Sequence, residues 1–202
     1  MVGGTWKGIS YLRALPAHVN DANSIPQQST RMKMSLVMAL LGTCTEFIRR
    51  GFQGYAQKMS AFNAATSYNF HNAFSGEYPD LQLDFSKLLL SRGSLTGGDN
   101  VGCASTEAGS VDFSWDDNTA SGTASAGDAA MLLVHNPAKK RSVYLIQGAL
   151  RSDAAATLEL PVDFSGDEVH CYLAFADLVN LMGKQPKSCI SDSAYAGSVV
   201  VA

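Results

Sequence analysis

Val111-Asp112-Phe113-Ser114-Trp115 alternates apolar and polar side chains and stops at Asp116-Asp117-Asn118. Successive side chains of a strand point to opposite faces, so this stretch reads as a strand burying Val111, Phe113 and Trp115 on one side. Outward from it, strand signals recur roughly every ten residues. Residues 129–134 form a fully apolar run ending at Asn136-Pro137, and 142–147, 156–160, 169–175 and 198–201 follow. No helical pattern separates these runs, which disfavours a parallel α/β sheet. Short, regularly spaced strands with turn residues between them predict an antiparallel β-sandwich over residues 98–202. Gly97-Gly98-Asp99-Asn100 reads as the break in front of it, Lys139-Lys140-Arg141 as a turn between strands, and the small-residue run 119–127 as a loop or edge strand.

Upstream of residue 98 the period changes. Ser24-Ile25-Pro26-Gln27 has the form of a capping box, with Pro26 in the first turn where its missing N–H costs little. Met34, Val37, Met38 and Leu41 then recur as one face of a helix. Thr43 and Glu46 read as a second capping box, opening a helix with Phe47, Ile48 and Tyr55. Ser60 reads as the cap of a third helix through Phe62, Ala65 and Phe74, with Gly76 as its terminal glycine. That helix carries Asn63, Asn69 and Asn72, poor interior residues unless their amides make specific hydrogen bonds. Residues 81–90 read as a strand bridging the two parts. At the start, Val2, Trp6, Ile9, Tyr11 and Leu12 alternate loosely among Gly3, Gly4 and Gly8, the pattern of an extended arm or hairpin. Residues 17–23 read as a loop. The class is α+β: an N-terminal arm, helices and bridging strand over 1–97, then the sandwich over 98–202.

Val111 to Trp115, Leu158-Glu159-Leu160-Pro161, Val169-His170-Cys171-Tyr172-Leu173-Ala174-Phe175 and Val199-Val200-Val201 together resemble the strands of a fibronectin type III or related immunoglobulin-like domain. That resemblance implies a fold and no function. Over nearly the whole chain, Trp6-Lys7-Gly8 with Tyr11 and Arg13, Pro26-x-Gln28 with Arg31, Ala61-Phe62-Asn63-Ala64, Ser86-Lys87 with Ser91-x-Gly93, and Phe164-Ser165-Gly166 with Val169 are similar to an uncharacterised family of proteins of about this length from Bacteroidota bacteria. That resemblance implies no established enzyme activity, no assigned cofactor and no agreed active site, so it carries over no functional residues.

The chain has 202 residues, 46% hydrophobic and only 16% charged, against a usual ~25%. A low charge fraction fits either a Ser/Thr/Asn-rich β surface or surface buried against other chains. Residues 1–92 carry nine Lys/Arg and five Asp/Glu, net +4; residues 93–202 carry six and thirteen, net −7. Opposite halves favour docking within the chain or head-to-tail contact between copies. The positive residues are dispersed, which argues against nucleic-acid binding.

Chemistry-bearing patterns are sparse. Cys44, Cys103, Cys171 and Cys189 form no C-x-x-C pair; buried thiols are the default, with a Cys171–Cys189 bridge left open. The four histidines (His18, His71, His135, His170) show no metal spacing, and His170 is expected at a strand rim, on the face of Glu168 and away from Asp167. There is no nucleophile elbow, phosphate loop or calcium loop. Catalytic, cofactor and metal residues are therefore expected to be none. Met32 to Cys44 mimics a lipoprotein leader but would need translation to start at Met32, and its apolar run is too short to span a bilayer. Without an N-terminal apolar leader, a cytoplasmic location is the default, with release in a virion or other assembly open. The reading that fits is a non-enzymatic structural protein that self-associates as a homo-oligomer or larger assembly through Val2, Trp6, Ile9, Tyr11 and Leu12, in the manner of a virion, tail or filament subunit. An adhesin-like, glycan-binding sandwich is the alternative.

Overall fold

A computed structural model describes residues 1–14, 23–180 and 186–202. The loop expected over 17–23, with His18, falls almost wholly outside them. The chain opens with β1 (Val2–Trp6) and β2 (Ile9–Arg13), paired antiparallel with Trp6 opposite Ile9. Lys7 and Gly8 make the two-residue turn at φ +48° and +81°, the left-handed pair whose twist matches the flanking strands.

Three helices follow: α1 (Ile25–Gly42), α2 (Thr45–Gly51) and α3 (Ala61–Asn72). The Gln27 side chain accepts from the Ser24 N–H, as the capping box requires. Ser60 Oγ accepts from Asn63 N at 3.1 Å, capping α3. The second box is not formed. Thr43 Oγ1 turns back to the Leu40 carbonyl and meets Ser142 Oγ at 2.6 Å, so Cys44 takes the N-cap position and Glu46 pairs with Arg49 instead. The former leader look-alike lies in the helical core, with Val37, Leu41 and Cys44 fully buried.

The bridging strand over 81–90 is also corrected. Only β3 (Phe74–Ser75) and β4 (Gln82–Leu83) pair there, so Gly76 belongs to a turn after β3 rather than to the end of α3. Asp84 then accepts from both the N–H and the hydroxyl of Ser86 and turns the chain into a short 3-10 segment, Phe85–Lys87. Residues 88–90 are held without a strand partner. The buried amide of Asn69 accepts from Leu89 N at 2.9 Å and donates to Leu89 O at 2.8 Å, as a neighbouring strand would. This is one specific use of the asparagines in α3.

The remaining strands are β5 (Asp99–Ala104), β6 (Ser110–Asp116), β7 (Ala129–Asn136), β8 (Arg141–Leu145), β9 (Ala155–Glu159), β10 (Glu168–Ala176) and β11 (Ala194–Val200). They form two antiparallel sheets, β5-β6-β9 and β11-β10-β7-β8. The first, second and fifth strands of the sandwich lie in one sheet and the other four in the second, the arrangement of a fibronectin type III-like sandwich. β5 begins inside the glycine stretch expected to be a break, with Asn100 at φ +48° where its ladder is irregular.

β7 and β10 are buried on both faces. Between the sheets, Val111, Phe113 and Trp115 meet Leu132, Val134, Leu173 and Phe175. On the outer face, Met131, Leu133, Tyr172, Ala174 and Ala176 pack with Val37, Leu41, Phe47 and Phe52 of the helical part. The architecture is three layers: helices, four-stranded sheet, three-stranded sheet.

Candidate interaction surface

The arm is the surface that the sequence singles out, and it is a hairpin. Directly opposed residues share a face, so Val2, Trp6, Ile9 and Tyr11 lie together with Gly4 and Arg13, while Leu12 lies on the other face with Gly3, Thr5 and Ser10. Gly4 is there for the ring of Tyr11: a Cβ would stand 2.8 Å from its hydroxyl oxygen. Little covers this apolar set. Val2 is 39% exposed, Trp6 49%, Ile9 68%, Tyr11 50% and Leu12 77%. Lys7 Nζ lies over the Trp6 ring and donates to the Met59 carbonyl at 2.6 Å, tying the turn to the segment before α3.

A second apolar surface is an open groove of about 470 Å³ between α1 and α3, lined by Met34, Met38, Phe62, Phe70 and His71 among others. A smaller cavity of about 260 Å³ lies between α1 and the sheet, with His135, Phe85 and Lys140 in its wall.

His135 in that wall belongs to a polar group on the outer face that the sequence pattern did not assemble. His135 and His170 are directly opposed on β7 and β10. His135 Nδ1 lies 2.9 Å from Ser142 Oγ, which continues to Thr43. His170 Nδ1 lies 2.9 Å from the Tyr195 hydroxyl, and its ring stacks on Phe85 at 3.8 Å. Burial, with the neighbouring His170 adding to it, pulls the His135 pKa down to about 4; burial also lowers that of His170. Both are neutral rings near pH 7. Asp167 stands apart, paired with Lys139 and accepting from Asn136, as the strand alternation requires. Arg141 bonds Asp163 at 2.9 Å, so the basic run is a turn with two of its charges matched within the chain. The signal for the histidine pair was present in the sequence as two positions of equal face parity, but register cannot be read from one strand alone.

The other missed feature is Arg151. Its side chain is fully buried, facing Asp128 at 3.0 Å, and it also donates to the carbonyls of Gly97 and Thr96 and to Asn118 Oδ1. The guanidinium lies 3.8 Å from the centre of the Phe175 ring, and the Arg151 carbonyl accepts from Trp115 Nε1. This is an anchor for the loops around it. Among the described residues, no three His, Cys, Asp or Glu side chains are grouped to hold a metal, and no helix is long and apolar enough to cross a membrane.

A family model described as a family of unknown function, DUF6266, matches residues 1–183. No curated protein matches the chain. Among solved structures, the fn3 domain of the human collagen alpha-1(XX) chain is similar to 54% of this chain over 87% of its own length, at 14% identity and a TM-score of 0.36.

Proposed function

We propose that this chain, which belongs to the DUF6266 family of unknown function, is a non-enzymatic structural protein that self-associates through its N-terminal hairpin. One observation carries the reading: the hairpin gathers Val2, Trp6, Ile9 and Tyr11 on one face and leaves them largely uncovered. An isolated two-stranded hairpin is marginal in water and gains its stability from a surface to pack on. A contiguous exposed apolar patch on an otherwise folded chain marks an interaction site. The low charge fraction and the opposite charges of the two halves support contact between copies. The hairpin has two outer strand edges of its own, so a copy could receive it either as added strands or as an apolar face. Subunits of virions, tails or filaments join in this way, and a cytoplasmic site of synthesis with later incorporation fits four cysteines without a disulfide.

Deleting residues 1–12 should abolish higher-order species in size-exclusion chromatography with light scattering. Trp6→Ala should weaken association on the order of tenfold or more, as loss of a central aromatic anchor does. A monomer profile that is the same with and without the hairpin ends this reading. The exposed Trp6 and Tyr11 on one face also suit a glycan platform; binding on a glycan array that disappears in Trp6→Ala, from a protein that stays monomeric, would favour that second reading.

A further inference from the structure

We propose that Cys103 and Cys171 are a redox-active thiol pair that a hydroperoxide closes into a disulfide between the two sheets. Cys103 lies on β5 of the three-stranded sheet, and Cys171 on β10, a central strand of the other. β11 brings them together. Gly197 on β11 is the register partner of Cys171, and the ladder shifts immediately after that pair. Gly197 sits at φ +119°, which disfavours any side chain, and a Cβ built there would stand 3.7 Å from Cys103 Sγ. Cys103 Sγ is also 3.5 Å from the Ala196 carbonyl. The Cys103 sulfur therefore lies over the residue facing Cys171, on the side to which Cys171 points. The other two cysteines, Cys44 and Cys189, belong to the helix-side core, whereas Cys171 points into the space between the sheets. A Cys171–Cys189 bridge is thus not formed, and the near thiol is one the sequence spacing did not suggest.

The two sulfurs are unequal, as a nucleophile and its resolving partner must be. Cys171 is fully buried, and Cys103 is partly exposed at the seam between β5 and β11. The neighbouring Cys171 lowers the pKa of Cys103, while the neighbouring Cys103 and burial raise that of Cys171. The Cys103 thiolate attacks one oxygen of hydrogen peroxide. The O–O bond breaks, hydroxide takes a proton to leave as water, and Cys103 becomes a sulfenic acid. Cys171 then loses its proton, its sulfur attacks Cys103 Sγ, the S–O bond breaks, and a second water leaves. Two thiols are oxidised by two electrons in all, and one peroxide is reduced to two waters. The bond would staple β5 to the centre of the opposite sheet, without the helices taking part. This inference stands apart from the assembly reading, since it concerns the sandwich interior.

The test treats the full chain, folded, with a small excess of hydrogen peroxide. The expected result is a loss of about 2 Da in intact mass, a peptide map joining the segments of Cys103 and Cys171, and reversal by dithiothreitol. The oxidised chain should melt roughly 5–15 °C higher than the reduced one. Cys171→Ser should stop at the Cys103 sulfenic acid, captured by dimedone. No mass loss, or a crosslink through Cys44 or Cys189, overturns the proposal. Mapping on the unsubstituted chain decides the matter even if the serine variant fails to fold.

Discussion

The two faces of the central strands β7 and β10 are both buried and are differently made. The inner face meets a second sheet, and its contacts join aromatic side chains to leucine and valine: Phe113, Trp115, Leu132, Val134, Leu173, Phe175. The outer face meets helices, and its contacts include Met131, Leu133, Tyr172 and two small residues, Ala174 and Ala176, over which a helical surface can come close. Each face is also closed by a polar group at one end, and the ends are opposite. Arg151 and Asp128 close the inner face near Phe175; His135 and His170 close the outer face where β10 begins. One closure is charged and saturated with hydrogen bonds, the other neutral. A sandwich of this type commonly leaves one sheet face to solvent; here that face has become a second core.

The harshest way to break the comparison is to remove the helical layer. Residues 98–202 alone would expose Met131, Leu133 and Tyr172, each stabilised by about 1.5–3 kcal/mol on burial. Their combined loss approaches the whole stability of an ordinary domain, about 5–15 kcal/mol. The fragment would also lose the bond from the Tyr172 hydroxyl to the Phe85 carbonyl, and Leu95 from the inner core. It should show no cooperative thermal transition by circular dichroism and should bind a hydrophobic dye. A sharp, dye-free melt would mean that the outer face is an accessory surface and that the boundary near residue 98 separates independent folding units.

The strands themselves were legible because their alternation is local. Val111 to Trp115 and 169–175 fell where expected, and Trp115 is in the core. The outer core was written in the same strands less openly. The unbroken run 129–134 already implies burial on both faces, since a strand wet on one side would alternate. What covers the second face is a tertiary question, and no window of sequence holds it. The polar closures were hidden for the same reason. Asp128 and Arg151 are 23 positions apart and meet only because their loops flank one end of β7. The failed strand at 81–90 had the right period, but Asp84 bonded to Ser86 and turned the chain, and Asn69 replaced the missing strand partner.

Charge is what distinguishes the inner closure, so neutralising one partner should be costly. Asp128→Asn leaves a buried guanidinium without its counter-charge, and urea unfolding should register a loss of about 3–5 kcal/mol. Replacing both, as Asp128→Leu with Arg151→Met, should recover part of that. The recovery is incomplete because the Thr96 carbonyl and Asn118 Oδ1 lose the donor that Arg151 supplies, while the Gly97 carbonyl keeps only Asn118 Nδ2. A single substitution costing under about 1 kcal/mol would show the pair to be as dispensable as a surface bridge.

The outer closure should instead reveal itself through pH. His135 is held to about 4 in the folded chain, against an ordinary 6.5. The unfolded chain therefore takes up the proton first as the solution is acidified, and unfolding gains free energy from it. Stability should be level above 6.5, fall as pH drops from 6.5 to 4, and gain no further slope from this group below 4. The shift corresponds to about 3 kcal/mol across that window. His170, lowered by burial though drawn the other way by Glu168, adds a smaller slope of the same sign. Around the pair stand Lys140 in the cavity wall, Lys139 already matched by Asp167, the neutral hydroxyls of Ser142 and Tyr195, and Glu168, whose carboxylate acts on His170; among the described residues none pairs with His135. The carboxylates held below their ordinary 3.8, those of Asp84, Asp112, Asp117 and Asp167, lose their contribution only at lower pH. His135→Gln, which keeps a side-chain partner for Ser142, should flatten most of the profile between 6.5 and 4 in denaturant titrations. If the slope persists in that variant, protonation is being resisted elsewhere, and the outer face is closed by packing alone.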